Sequence, residues 1–378
     1  MADPSTAPPL TRASVQAALK LIKPYIHQTP VLTNATLDRL ASTPRTAAEL
    51  EGTEWAGRTP AKPVLRFWFK CENFQKVGAF KARGAFHAIE RLKQEPGWAE
   101  NGGREKGVVT HSSGNHAQAL SLASLTSSIP CHIVSPSNSS PPKLAAVRDT
   151  YRASLTFSGP THPEREAATA QVIAATGARF VPPYNHPDII LGQGTAALEL
   201  QSQLAATSAG AADDDKGAVT LKGIITPCGG GGLLSGTALA CEGTGISVFG
   251  AEPSFEGADD GKRGFYAGKR VEAVKTTTIA DGLRTPVGEI PWSIIYERKL
   301  VRGMYSVSED DIRKALRLVW ERMKIVVEPS AVVGLAVALY NEDFRTMVEQ
   351  EGGEKGWDLG VVFSGGNVDL NALGSLFA

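Results

Sequence analysis

Four consecutive glycines, Gly229, Gly230, Gly231 and Gly232, stand between an apolar segment GIITP and the helix-like GLLSGTALA. Backbone N–H groups of such a loop, at a helix N-terminus, close around an anion. No G-K-[ST] follows, so a Walker A loop is excluded. A tight turn alone is the plain alternative, but four glycines cost more chain entropy than a turn needs. Phosphate binding is therefore the expected chemistry. Gly230-x-Gly232-x-x-Ser235, with Glu252 after the next strand, approximates a dinucleotide fingerprint but fails at its third glycine.

Lys81 sits between Phe80 and Ala82, near the start of a helix that follows a strand. A lone lysine is usually solvated. Apolar neighbours imply partial burial, which lowers the amine's pKa and makes it a nucleophile for Schiff-base chemistry. The run Ser112-Ser113-Gly114-Asn115 ends the strand GVVT and opens another helix, so hydroxyls, an amide and free N–H groups converge to suit a carboxylate or phenolate. An N-cap would need only one of them. His111 and His116 have no partner pair at ligand spacing, which argues against zinc. Ser364 ends a late strand, and Gly365-Gly366 turns the chain after it.

The elements that must position these groups follow an alternating rhythm. From Val64 onward, strands (VLRFWFKCE, GVVTHSS, CHIVSP, SLTFSG, ARFVPP, GIITP, ISVFGAE, VVFSG) alternate with helices (79–92, HAQALSLASL, KLAAVRDT, EREAATAQVIAAT, GTAALELQSQL, GLLSGTALA). This pattern predicts βαβ units and parallel sheets buried on both faces, an α/β fold. Val15 to Ile22 reads as a helix, and Ser308 as the cap of another with Asp311 at its N3 position. Two stretches read as surface insertions: 41–63, with a short helix at Thr46 to Glu51, and the small, acidic run 206–217.

The totals exclude several classes. The chain has 378 residues, enough for two domains. Lys+Arg and Asp+Glu are 39 each, so no global field draws nucleic acid or an anionic membrane. No apolar run reaches a membrane span. The N-terminal MADPSTAPPLTRAS has no basic start and no apolar core, so no leader peptide is expected. The four cysteines form no C-x-x-C pair, which suits free buried thiols and a cytoplasmic protein.

Together, FKCENFQKVGAFKARGA, SSGNH, CGGGGLLSG and VVFSGGN resemble, in order and spacing, the fold-type II enzymes that use pyridoxal phosphate (PLP). The likeness is to the serine racemase and serine/threonine dehydratase branch, eukaryotic serine racemases most of all, and runs from about Gln28 to about Leu370. GQGTAALEL, FGAEPS, ADGLRTPVG, LVWERMKIVVEPSAVVG and SGGNVDL add to it. The resemblance implies a large PLP-binding domain from 1–106 and 187–378 and a small mobile domain at 107–186. It implies that Lys81 carries PLP as a Schiff base and that Phe80 packs on the ring. Asn115 would bond the ring oxygen, Ser364 would face the ring nitrogen, and Gly229 to Gly232 with Leu233 would hold the phosphate. Ser112, Ser113, Asn115, His116, Arg165 and Thr285 would contact substrate, with Ser113 a second acid/base opposite Lys81. Glu252, Asp260 and the carbonyl of Ala258 match a Mg²⁺ or Ca²⁺ site. A homodimer is implied as well.

The expected activity is loss of water and ammonia from a small β-hydroxy amino acid such as serine or threonine, with racemisation if Ser113 returns a proton. A lyase for 3-hydroxyaspartate, with Arg165 on the extra carboxylate, is the second reading. A nicotinamide oxidoreductase and a non-enzymatic PLP-binding descendant are the others. Three features depart from the family pattern: Ala79 for the usual serine, Thr285 for serine, and the longer loop at Phe255-Glu256-Gly257.

Overall fold

Short apolar runs flanked by turn residues become strands, and Leu221–Pro227, Ser247–Pro253 and Trp357–Phe363 are buried along nearly their whole length. The computed structural model describes residues 4–112, 114–137, 144–210, 219–370 and 373–377. Its strands are β1 (Val31–Leu32), β2 (Leu65–Cys71), β3 (Val108–His111), β4 (Cys131–Pro136), β5 (Ser154–Ser158), β6 (Arg179–Phe180), β7 (Leu221–Pro227), β8 (Ser247–Pro253), β9 (Gly303–Val307) and β10 (Trp357–Phe363). The larger sheet has the order β1-β2-β10-β7-β8-β9, and the smaller β5-β4-β3-β6. Every pairing is parallel except β1 with β2. All four strands of the smaller sheet fall between residues 108 and 180.

The helices that carry or cover the site are α1 (Arg12–Ile22), α2 (Lys81–Lys93), α3 (Asn115–Thr126), α4 (His162–Thr176), α5 (Pro187–Gly210), α6 (Gly232–Cys241), α7 (Asp260–Ala267), α8 (Glu309–Leu318), α9 (Val333–Tyr340) and α10 (Glu342–Gly352). One face of the larger sheet packs on α9, whose residues Val333 to Ala338 are inaccessible to solvent. The other packs on α1, α5 and α6. Ser308 does cap α8 through a capping box with Asp311.

Three expectations need correcting. The helix at GTAALELQSQL begins earlier, at Pro187, and continues through 206–210, where a loop was expected. Two early glycines, Gly192 and Gly194, hide its start, although a proline at its first position suits a helix. The remainder of that expected loop, 211–217, lies outside the described residues. ARFVPP forms only the two-residue β6, because Pro182 and Pro183 have no N–H to extend a ladder. The helix expected from Ala79 starts at Lys81, since Ala79 is spent on an antiparallel bridge to Gly365. KLAAVRDT is helical over its described residues, α-helical at Leu144 and Ala145 and widening to a π-helix over Ala146–Thr150.

The insertion at 41–63 is bolted to α10. Buried Arg345 pairs with Glu342 (3.0 Å) and donates to the carbonyls of Ala41 (2.6 Å), Thr43 (2.8 Å) and Ala61 (3.3 Å). Glu342 in turn accepts from the Ala61 N–H at 2.9 Å. Arg345→Met leaves that carboxylate buried without its cation, so unfolding in urea should show a loss of about 3–5 kcal/mol.

Candidate active site

The loops that carry the expected residues leave the carboxyl ends of β2, β3, β7, β8 and β10, where open parallel sheets place ligands. After β2 the chain turns sharply. Val77 has φ 56° and Gly78 has φ 67°. A β-branched residue in the left-handed region is strained, and such strain persists only where the surroundings enforce it. Here the Val77 carbonyl is held by the Asn367 amide at 2.8 Å. The Phe80 N–H then donates to the Ser364 carbonyl (3.0 Å), and α2 begins. Ser364 is thereby placed against the start of the lysine's helix.

The Lys81 amine donates to the Pro183 carbonyl at 2.7 Å and lies 5.2 Å from the centre of the Phe80 ring. Burial brings its pKa down from 10.5 to about 8, against a partial upward pull from the Glu328 charge. This is the poised amine that the sequence suggested.

The glycine loop follows β7. Gly231 has φ +84°, and the loop's own backbone supplies no side-chain cap to α6. The first N–H groups of that helix are thus left for an anion. The loop has no room for side chains. A Cβ on Gly229 would sit 2.9 Å from Leu283 Cα, one on Gly230 2.5 Å from the Tyr184 ring, and one on Gly231 2.8 Å from Pro291 Cβ. Leu233 is buried at the first turn of α6. The Gly288 N–H holds the Gly230 carbonyl at 3.2 Å. A cradle of this form fits a phosphate.

Asn115 opens α3 and is clamped between two partners from the larger sheet's loops. Its amide donates to Glu328 (3.0 and 3.2 Å) and its carbonyl accepts from Asn367 at 2.8 Å. Asn367 also donates its own backbone N–H to Glu328 at 3.2 Å. Glu328, only 3% exposed and felt electrostatically by Lys81, was missed in the sequence. The available signal was a lone acid inside the apolar run VVEPSAVVG. The Ser112 hydroxyl accepts from the Gly114 N–H at 3.3 Å. Ser113 lies outside the described residues. His116 is buried, with Nε2 on the Val181 carbonyl (3.3 Å), and burial lowers its pKa to about 3, so it stays neutral.

Burial raises the pKa of the Tyr184 phenol, and nearby Thr285 pulls it partly back. Arg165, on α4, is near enough to influence that phenol. Its Nε is buried and makes no hydrogen bond among the described residues.

Glu252, at the end of β8, and Asp260, opening α7, are both buried. Glu252 accepts from the N–H groups of Gly261 (3.1 Å) and Lys262 (2.7 Å), and Asp260 from Val287 (3.0 Å). Burial, and then the charge of Asp260, pushes the Glu252 pKa well up; burial also raises that of Asp260. Two buried carboxylates close enough for one to raise the other, with Ala258 buried nearby in sequence, are oxygen ligands of the kind a hard divalent ion takes. Among the described residues, no three His, Cys, Asp or Glu side chains converge on one point, so a third ligand would have to be a carbonyl. The four cysteines are free and buried. No helix among the described residues is long and apolar enough to cross a membrane.

Comparison with known proteins agrees with this geometry. The family model described as "Pyridoxal-phosphate dependent enzyme" matches residues 53–364. The serine racemase of Dictyostelium discoideum is 39% identical over 97% of this chain and 98% of its own length. The β-hydroxyaspartate dehydratase of Paracoccus denitrificans is 37% identical, over 96% of this chain and 98% of its own. The solved structure of maize serine racemase superposes with a TM-score of 0.79 at 35% identity, covering 97% of this chain and 96% of that one. The chain therefore belongs to the fold-type II PLP-dependent enzymes, in the family that contains serine racemases and hydroxy amino acid dehydratases.

Proposed function

We propose that the chain is an ammonia-lyase that converts a small β-hydroxy amino acid, L-serine or L-threonine, into a 2-oxo acid and ammonia. The observation that carries this is the Lys81 amine, held on the Pro183 carbonyl next to Tyr184, whose side chain packs on Gly230 and Gly232 of the uncapped glycine loop. PLP, when bound, supplies the electron sink that lets a proton leave the amino acid's α-carbon. Lys81 would hold the cofactor, Gly229 to Gly232 and Leu233 its phosphate, Asn115 its ring oxygen and Ser364 its ring nitrogen. The Lys81 amine would also serve as the base at the α-carbon, and its lowered pKa would suit that task near neutral pH. A serine hydroxyl cannot lend the ring nitrogen a negative charge. That arrangement would suit prompt loss of the β-hydroxyl. Ser112 and the start of α3 would receive the substrate carboxylate. Residues 107–186 would move to close on substrate.

Incubation with PLP and L-serine should give pyruvate and ammonia in equal amounts. A PLP-loaded chain inert toward both L-serine and L-threonine would overturn this reading.

One observation favours a second reading, a lyase for 3-hydroxyaspartate. The Arg165 Nε makes no hydrogen bond among the described residues, and a further carboxylate would supply a partner. On that reading, Arg165→Ala lowers kcat/KM for 3-hydroxyaspartate roughly 10- to 100-fold, since a charged hydrogen bond is lost. Steady-state rates for serine should stay nearly unchanged in the same variant. Equal losses on both substrates would assign Arg165 to the fold instead.

A further inference from the structure

Beneath Lys81 lies a cluster of four buried charges that the chemistry above does not use. Lys70 is on β2, Glu72 just after it, Arg83 on α2 and Glu199 on α5. Arg83 donates to Glu72 (2.7 and 2.8 Å), to Glu199 (2.9 and 2.7 Å) and to the Thr195 hydroxyl (3.2 Å). All five guanidinium N–H groups are thereby used. Lys70 donates to the Thr29 carbonyl (2.8 Å), Glu199 (2.9 Å) and the Gln203 carbonyl (2.8 Å). Two cations balance two anions, and each donor of both is paired.

Such a cluster contributes little net stability, because desolvating four charges offsets their attraction. What it does supply is direction. A planar fork held by two carboxylates admits one orientation, which a flexible ammonium would not.

The helix that bears Arg83 needs this. Phe80 at its N-cap makes no side-chain cap bond. The first turn has backbone bonds from Ala82 to Ala79 and from Arg83 to Phe80, and is otherwise held from outside. Phe80 N–H goes to the Ser364 carbonyl (3.0 Å), Gly84 N–H to the Gln193 amide oxygen (3.1 Å), and between them Arg83 is fixed to α5 and to the turn after β2. Lys81 stands two residues before Arg83. We infer that Arg83 is a positioning residue: its fork fixes the first turn of α2 and with it the direction of the Lys81 amine. The catalytic consequence rests on the PLP reading above; the mechanical one does not.

The test compares Arg83→Lys with Lys70→Met, which disturbs the same cluster from β2. Hydrogen exchange on the cofactor-free chain reads the mechanical part. Arg83→Lys should speed exchange across residues 76–84, and Lys70→Met should not, although both lower the melting temperature. With PLP bound, Arg83→Lys should lose most of the visible circular dichroism per bound cofactor. Its kcat should fall about 10- to 100-fold with KM little changed, as expected for a misdirected group. Wild-type exchange, dichroism and kcat in Arg83→Lys would overturn the assignment, as would identical losses in Lys70→Met. If Arg83→Lys fails to fold, Thr195→Val removes one bond to the fork and must change exchange in the same direction; no change overturns the assignment. A wild-type chain that binds no PLP would sink the functional reading, while the exchange comparison still decides the mechanical claim.

Discussion

Lys81→Ala should abolish the visible band of lysine-bound PLP and lower 2-oxo acid formation by about 10³- to 10⁴-fold or more. Two roles are lost together, the covalent hold on the cofactor and the base at the α-carbon. The glycine cradle is untouched, so PLP should still bind non-covalently and be removable by gel filtration. Absorbance and pyruvate release, measured on the same sample, check both parts. Retained turnover would move the base elsewhere, and Glu328 would be the first residue to test.

The environment of the amine also sets a pH dependence. Capture of PLP needs the neutral amine. Burial has brought Lys81 from 10.5 to about 8. Below that pKa the neutral fraction falls tenfold for each pH unit, and above it the fraction is nearly complete. The rate of cofactor uptake by the stripped chain should therefore rise with pH and level off near 8. An exposed lysine would continue to rise toward 10. Glu328 holds the value up, so Glu328→Gln should shift the levelling point to lower pH.

Much of this site was legible because its chemistry sits on local signals. The glycine run, the lysine between apolar neighbours and the serine-rich strand end each declare themselves within a few residues. The alternating strands did the same, since parallel strands read as apolar runs. What stayed hidden depends on residues far apart in sequence. Glu328 looks like any acid before a proline until Asn115 and Asn367 close on it from 213 and 39 residues away. Arg83 and Glu199 lie 116 residues apart, and neither has a charged partner within its own helix pattern. The start of α5 was lost because its glycines, which local propensity reads as helix breakers, serve packing instead.

Those glycines support the other large prediction. The lysine's helix α2 and the phosphate helix α6 both dock on α5 through glycine pairs. A Cβ on Gly192 would lie 2.6 Å from Gly84 Cα, and one on Gly236 2.6 Å from the Gly194 nitrogen. These are backbone-to-backbone contacts, which no rotamer change can relieve. One helix thus sets the spacing between Lys81 and the glycine cradle. Gly236→Ala must push α6 off α5, at a cost of about 3 kcal/mol or more. Gly334 is the control, also helical but with its nearest neighbour, Ile225 Cγ2, at an ordinary 3.4 Å. Gly334→Ala should gain about 0.5 kcal/mol by restricting the unfolded chain. Urea unfolding of the two variants should therefore shift in opposite directions. Because the cradle rides on α6, Gly236→Ala should also release PLP faster than wild type under conditions where it remains folded. Unchanged PLP retention in a destabilised Gly236→Ala would mean that α5 supports the two helices without setting the distance between them.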